Sequence, residues 1–258
     1  MQRLLLSLAF ILSITYPTLA QSADSLIISG KQMLQVGENA GDLDAMYAAR
    51  ATFERALADT SLAAWGHYYI ALADYRIAGL LEGESKDQAS EHLKVAVEHL
   101  KKATEIDPQA AEAYALLSSA YGLQIGLSPM KTMLLGPRVG KASQKAKQLA
   151  PDNPRVVLSA AISDFNTPKM FGGSKEKGLQ GFQRAAELFA QEEPTDPIRP
   201  VWGHREAYAW LGIAYQNQGE LESARAAFEK ALEIDPDFGW VKYWLLPELE
   251  KANSPDEP

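Results

Sequence analysis

The chain has 258 residues, 47% hydrophobic and 22% charged, a composition that folds rather than one that stays disordered. Its 33 acidic side chains outnumber 25 basic ones for a formal charge of -8, and no cluster of Lys and Arg is apparent along the chain, so nucleic acid is not an expected partner. Cysteine is absent, which excludes disulfide staples, thiolate metal sites and acylation at a cysteine.

In chain order, residues 1–20 read as a signal peptide. Arg3 supplies a positive start, Leu4 to Ile14 is a short apolar run, Pro17 breaks it, and Thr18-Leu19-Ala20 places small residues at a cleavage point. The run is too short to span ~30 Å of hydrocarbon, so cleavage is expected, with no membrane insertion of the mature chain. The expected location is exported, periplasmic in the first instance or secreted.

Residues 21–252 read as five helical hairpins and a capping helix. Gly30, Met33, Ala49, Phe53 and Ala56 mark the first, over about 24–60. The second, 63–108, runs from Trp65 and Tyr75 to Ala96, Leu100, Ala103 and Pro108. Tyr114, Leu117, Ser118 and Tyr121 with Ala146 and Pro151 mark the third, 110–151, and Ala161, Gly178, Phe182 and Ala185 the fourth, 154–192. The fifth, 203–236, is the most regular: Tyr208-x-x-Leu211-Gly212-x-x-Tyr215, then Ala224-x-x-x-Phe228-x-x-Ala231 and Pro236. Gly212 is small enough for a partner helix to approach, Gly219-Glu220 makes the turn, and Pro236 ends the hairpin. A capping helix over 238–252 and a frayed polar tail over 253–258 complete the chain. The pattern closely resembles the tetratricopeptide repeat (TPR) family, which implies an all-α solenoid that binds protein or peptide, without cofactor, metal or catalytic residues.

Four hairpins are longer than the fifth. Nine positions separate Tyr215 from Ala224, but 21 separate Tyr75 from Ala96. Each excess falls between the two helices of a hairpin, where insertions either form turns on one side of a solenoid or lengthen the helices. Pro194, Pro197 and Pro200 predict a bend between the fourth and fifth hairpins. Two turns stand out: Leu127 to Arg138, with Leu135-Gly136-Pro137-Arg138, and Thr167 to Lys177, with Pro168-x-x-Phe171-Gly172-Gly173-x-x-Glu176-Lys177. They resemble a group of exported bacterial TPR proteins of uncharacterised function, a resemblance that covers roughly Ala111 to Leu188 and supports the architecture.

Gly136 to Lys141 mimics a phosphate-binding loop but has three residues between its glycines where four are needed, and Ala142 in place of Ser or Thr. It reads instead as a helix start with Pro137 in the first turn. Ser174 reads as a helix cap. His92 and His99, about 10 Å apart along one helix, are too distant to share an ion.

By register the concave lining comprises Tyr69, Ala73 and Arg76, then Ala115, Ser119 and Gly122, then Leu158, Ile162 and Asn166, then Ala209, Ile213 and Asn217. It is mixed in character, suited to a peptide or helix in the groove and unlike a clamp for a terminal carboxylate. The candidate partner-binding residues are Tyr69, Arg76, Ser119, Ile162, Asn166, Ile213 and Asn217 in the groove, with Met133, Leu134, Met170 and Phe171 in the two turns. Those turn residues either bury one another as a satellite core, the reading the Met-rich composition favours, or stand exposed as a binding surface. The expected function is a non-enzymatic scaffold or adaptor of the cell envelope; the alternative is a small-ligand-binding accessory of a transport system.

Overall fold

The computed structural model describes residues 21–193 and 195–253, so residues 1–20, on which the signal-peptide expectation rests, Pro194, and residues 254–258 of the expected tail lie outside the described residues. Ten helices pair into five antiparallel hairpins: α1 (Ala23–Ala40) with α2 (Leu43–Ala56), α3 (Ala63–Leu81) with α4 (Lys86–Ile106), α5 (Ala111–Leu127) with α6 (Thr132–Leu149), α7 (Pro154–Asn166) with α8 (Lys175–Ala190), and α9 (His204–Gln218) with α10 (Leu221–Ile234). A π-helical segment, Val241–Leu245, leads into α11 (Leu246–Asn253), which packs on α10. The chain is an all-α solenoid.

Local chemistry sets the boundaries. The side chains of Ser22, Asp42, Ser85, Asn153 and Ser174 each accept a backbone N–H in the first turn of the helix that follows. Gly219, at φ +80°, closes α9 in the left-handed conformation that a side chain would oppose.

Each hairpin buries small residues against aromatic rings. A Cβ on Gly212 would stand 2.3 Å from the Phe228 ring, and one on Gly30 would stand 2.4 Å from the Phe53 ring. The same glycine–phenylalanine contact therefore seals both the first and the fifth hairpin, with Phe53 and Phe228 fully buried. The excess length of the second hairpin became helix: α3 runs to Leu81, α4 starts at Lys86, and only four residues turn between them.

Two expectations change. Pro137 lies within α6 rather than opening it, because a short 3₁₀ turn at Pro129–Lys131 starts the helix five residues earlier. Gly136 permits this, since it has no Cβ to crowd the ring of the following proline. The proline-rich connection does bend, in a turn over Asp196–Arg199, but it does more. Residues 195–202 form a strap against the inner face of the superhelix, with Ile198 buried in the core of the first three hairpins while Asp196, Pro197, Arg199 and Val201 stay exposed.

Candidate functional site

The interior of the superhelix is lined by α1, α3, the strap, the start of α9 and the end of α10. Tyr69 and Arg76, two of the groove candidates, face it. Neither is open to a partner. The Tyr69 hydroxyl donates to the Ile198 carbonyl at 2.5 Å, while Lys31 donates to the carbonyls of Pro197 and Arg199 at 2.7 and 2.6 Å. Trp202 donates its indole N–H to the Tyr68 hydroxyl at 2.9 Å and lies under the guanidiniums of Arg76 and Arg155. The groove thus holds a turn of the chain's own, Asp196–Arg199, closed by the Arg199 N–H donating to the Asp196 carbonyl at 3.1 Å and gripped through the carbonyls of Pro197, Ile198 and Arg199. Burial and the nearby Arg155 charge push the Lys31 ammonium down to about 8.

A charged clasp closes the ring beside the strap. Arg76 pairs with Glu38 at 2.9 Å and Glu206 at 2.6 Å; Arg205 pairs with Glu38 at 2.9 Å, and also with Asp235 and Asn39. Asp235 further accepts from Gln35 at 3.0 Å and from Asn39 at 3.1 Å, and Arg205 covers the Phe238 ring. Burial alone would raise the Glu206 carboxyl, but Arg76 and Arg205 outweigh it and hold the group below its ordinary range. The clasp joins the first and second hairpins to the fifth, and the cleft it leaves holds about 130 Å³. Small-molecule sites usually need roughly 300–1,000 Å³.

The other groove candidates lie along the third to fifth hairpins. The Ser119 and Ser159 hydroxyls hydrogen-bond each other, Ile162 and Ile213 are half-buried and pack on the core, and Asn166 and Asn217 are exposed. Asn166 turns back to donate to the Ile162 carbonyl at 3.0 Å. No single cavity joins these residues to Tyr69 and Arg76 among the described pockets.

The four turn candidates stand outside. Met133 is 92% exposed and Met170 83%, with Leu134 and Phe171 also exposed and Met130 beside them at 95%. The favoured satellite core is therefore corrected: Met130, Met170 and Phe171 sit on short 3₁₀ turns between helices, and Met133 and Leu134 sit on the outward side of the first turn of α6. The expectation that basic residues gather nowhere changes too. Residues 113–151 contain no Asp or Glu and five Lys or Arg, a local balance hidden by the acidic total.

Two features have no mark in the repeat pattern. His67 and His99 meet, Nδ1 to Nδ1, at 2.9 Å, with burial and then the His67 charge pushing His99 down to about 4; the pair is neutral at pH 7. Their spacing across α3 and α4 gave no warning. The second is Tyr243 and Trp244, 64% and 72% exposed on the capping segment. Pro247 would clash with the Tyr243 carbonyl in a regular helix, and the π turn at Val241–Leu245 relieves it. The run from Tyr243 to Pro247 was the available signal: four consecutive large apolar residues cannot share one buried face.

The tetratricopeptide repeat model matches residues 206–238. Among solved structures, the HusA haemophore from Porphyromonas gingivalis superposes with a TM-score of 0.64 at 21% identity, over 77% of this chain and 96% of that one. A thermophilic TPR protein from Thermus thermophilus superposes with a TM-score of 0.60 at 20% identity, over 90% and 98%. At these identities the likeness concerns the fold. The wheat (Triticum aestivum) Hsp70-Hsp90 organizing protein is 29% identical over 98 residues, 38% of this chain, and the chain spans 16% of that protein's length.

Proposed function

We propose that the protein is a non-enzymatic scaffold of the cell envelope that binds a protein or peptide partner through outward-facing surfaces rather than through its groove. A TPR solenoid is suited to such work, and the likeness to a co-chaperone organiser and to TPR proteins supports a binding role. The leader pattern of Arg3, the apolar run and Thr18-Leu19-Ala20 supports export to the periplasm. One observation carries the choice of surface. The groove beside Tyr69 is occupied by the Asp196–Arg199 turn and Trp202, whereas the capping segment, which in a solenoid should present a polar outer face, presents Tyr243 and Trp244. Those are residue types that dominate interface energies.

The expected result is that Tyr243→Ser with Trp244→Ser leaves the melting temperature nearly unchanged, since both side chains are exposed. The partner retained from envelope extract by the parent should then be lost, or bound at least ~30-fold more weakly, the effect of a hot spot of about 2 kcal/mol. Quantitative pull-down with denaturation controls measures both. Unchanged retention in this variant, together with new binding of a small ligand when Ile198→Asp expels the strap, would contradict the scaffold and favour an accessory that carries a ligand in its interior.

A further inference from the structure

The exposed apolar side chains of the third and fourth hairpins sit on two turns at the same edge of the solenoid. α5 and α7 run parallel and in register: Asn153 donates to Glu112 at 2.8 Å, Ser159 donates to the Ala115 carbonyl at 2.9 Å, and Ser119 meets Ser159. From that contact α5 continues eight residues to Leu127 and α7 seven to Asn166. Both helices therefore end side by side, and Met130 on the turn after α5, Met133 and Leu134 on the first turn of α6, and Met170 and Phe171 on the turn after α7 all lie at this edge.

Charge frames these tips. Residues 128–141 and 167–177 contain six cations, Lys131, Arg138, Lys141, Lys169, Lys175 and Lys177, against the single carboxylate of Glu176. Among the described residues none of the six makes an ion pair. Arg138 and Lys141 follow Met133 on α6 at about 7.5 and 12 Å along the helix axis. Acidic turns bound the patch on either side, with Glu82 and Glu84 in the second hairpin and Glu220 and Glu222 in the fifth.

We infer that this edge is a peripheral docking site for an anionic lipid surface, with Met130, Met133, Leu134, Met170 and Phe171 entering the headgroup–acyl boundary and the Lys and Arg collar meeting lipid phosphates. Three features favour a bilayer over a folded partner. Side chains exposed by 83–95% at Met130, Met133 and Met170 stand clear of any wall, so they form no pocket for a peptide, whereas a fluid interface moulds itself around a protrusion. Arg138, about 7.5 Å behind Met133 along α6, lies at the depth that phosphates occupy when apolar groups enter by roughly 5–10 Å, and the longer-range charges of the other cations add to it. The positive island also contrasts with a chain of net charge -8, which would otherwise be repelled from an anionic surface. This docking is interfacial: no helix among the described residues is long and apolar enough to cross a membrane.

The absence of cysteine allows a local test that ignores any contribution from the N-terminal leader. The full chain carrying Met130→Cys is labelled with a polarity-sensitive fluorophore, with an Asn217→Cys chain labelled as reference. Phosphatidylglycerol-containing vesicles should blue-shift the label at 130 and not at 217; pure phosphatidylcholine should have little effect, and high salt should reverse the shift. Arg138→Glu with Lys141→Glu should raise the lipid concentration required by at least ~10-fold, while circular dichroism melting confirms that both chains remain folded. A label at 130 that no vesicle shifts overturns the proposal, and so does an equal response to neutral vesicles or an indifference to charge reversal. A label unmoved by vesicles but shifted by soluble envelope proteins would assign the edge to a protein partner and equally overturn it.

Discussion

Arg205→Met is expected to destabilise the protein by about 3–5 kcal/mol and to detach the fifth hairpin from the first. Arg205 is nearly buried and is the shared cation of Glu38, Glu206 and Asp235. Methionine keeps much of its apolar contact with Phe238 but leaves three acidic groups with only Arg76 to offset them. Glu38 also lies in the last turn of α1, where the helix dipole already opposes a negative charge. Arg205→Lys should recover part of the loss, since it restores charge without the planar fork that serves several oxygens at once. Chemical denaturation measures the change; a loss below ~1 kcal/mol would show that the clasp is incidental. The pH dependence follows from the same groups. Glu206 and Asp235 are held below their ordinary values in the fold, so their contribution is present at neutral pH and disappears as pH falls through those lowered values. Closure should therefore fail on acidification below ~4, not on mild alkalinisation.

Trp202→Ala should cost a similar ~3–5 kcal/mol, the range for emptying a site filled by a large aromatic. Trp202 packs against both the core of the first three hairpins and the core of the fourth and fifth. Its ring lies 5.3 Å from Arg76 and 5.9 Å from Arg155, and its indole N–H serves Tyr68. The substitution removes the one strap residue that joins two cores and two cations. Loss of the folding transition's cooperativity, read by comparing near- and far-ultraviolet circular dichroism, should accompany the lower midpoint. Coincident transitions with an unchanged midpoint would show that the strap rests on the groove without holding it.

The solenoid was legible because its signals are local and repeated. Gly212 with Phe228, Ala224 and Ala231 states a helix pair within 33 residues, the same span that the repeat model matches. What filled the groove was not legible. Helical periodicity locates Tyr69 and Arg76 on an inner face, but it says nothing of the partners that satisfy them, Ile198 on the strap and Glu206 on α9, 129 and 130 residues downstream. Pro194, Pro197 and Pro200 announced a bend, and only the closure of the ring decides that it packs against the inner face. The turns Leu127–Arg138 and Thr167–Lys177 were recognisable as unusual, yet composition favours burying their methionines. Their exposure follows from their places on the 3₁₀ turns Pro129–Lys131 and Lys169–Phe171 and on the outward side of the first turn of α6, which the pattern of apolar residues does not encode. Tyr243 and Trp244 escaped for a related reason, since the π turn that presents them answers Pro247 rather than any repeat position.

The central feature of the molecule is a solenoid closed upon itself, with its own strap against the inner face. Spin labels on Val36→Cys in α1 and Glu233→Cys in α10, both exposed and both next to the Gln35–Asp235 contact, measure that closure directly by pulsed dipolar spectroscopy. A single, narrow, short distance distribution that broadens and lengthens in Arg205→Met is the predicted result. A broad, long distribution in the parent chain, unaffected by Arg205→Met, would contradict it and return the groove to the list of open binding surfaces.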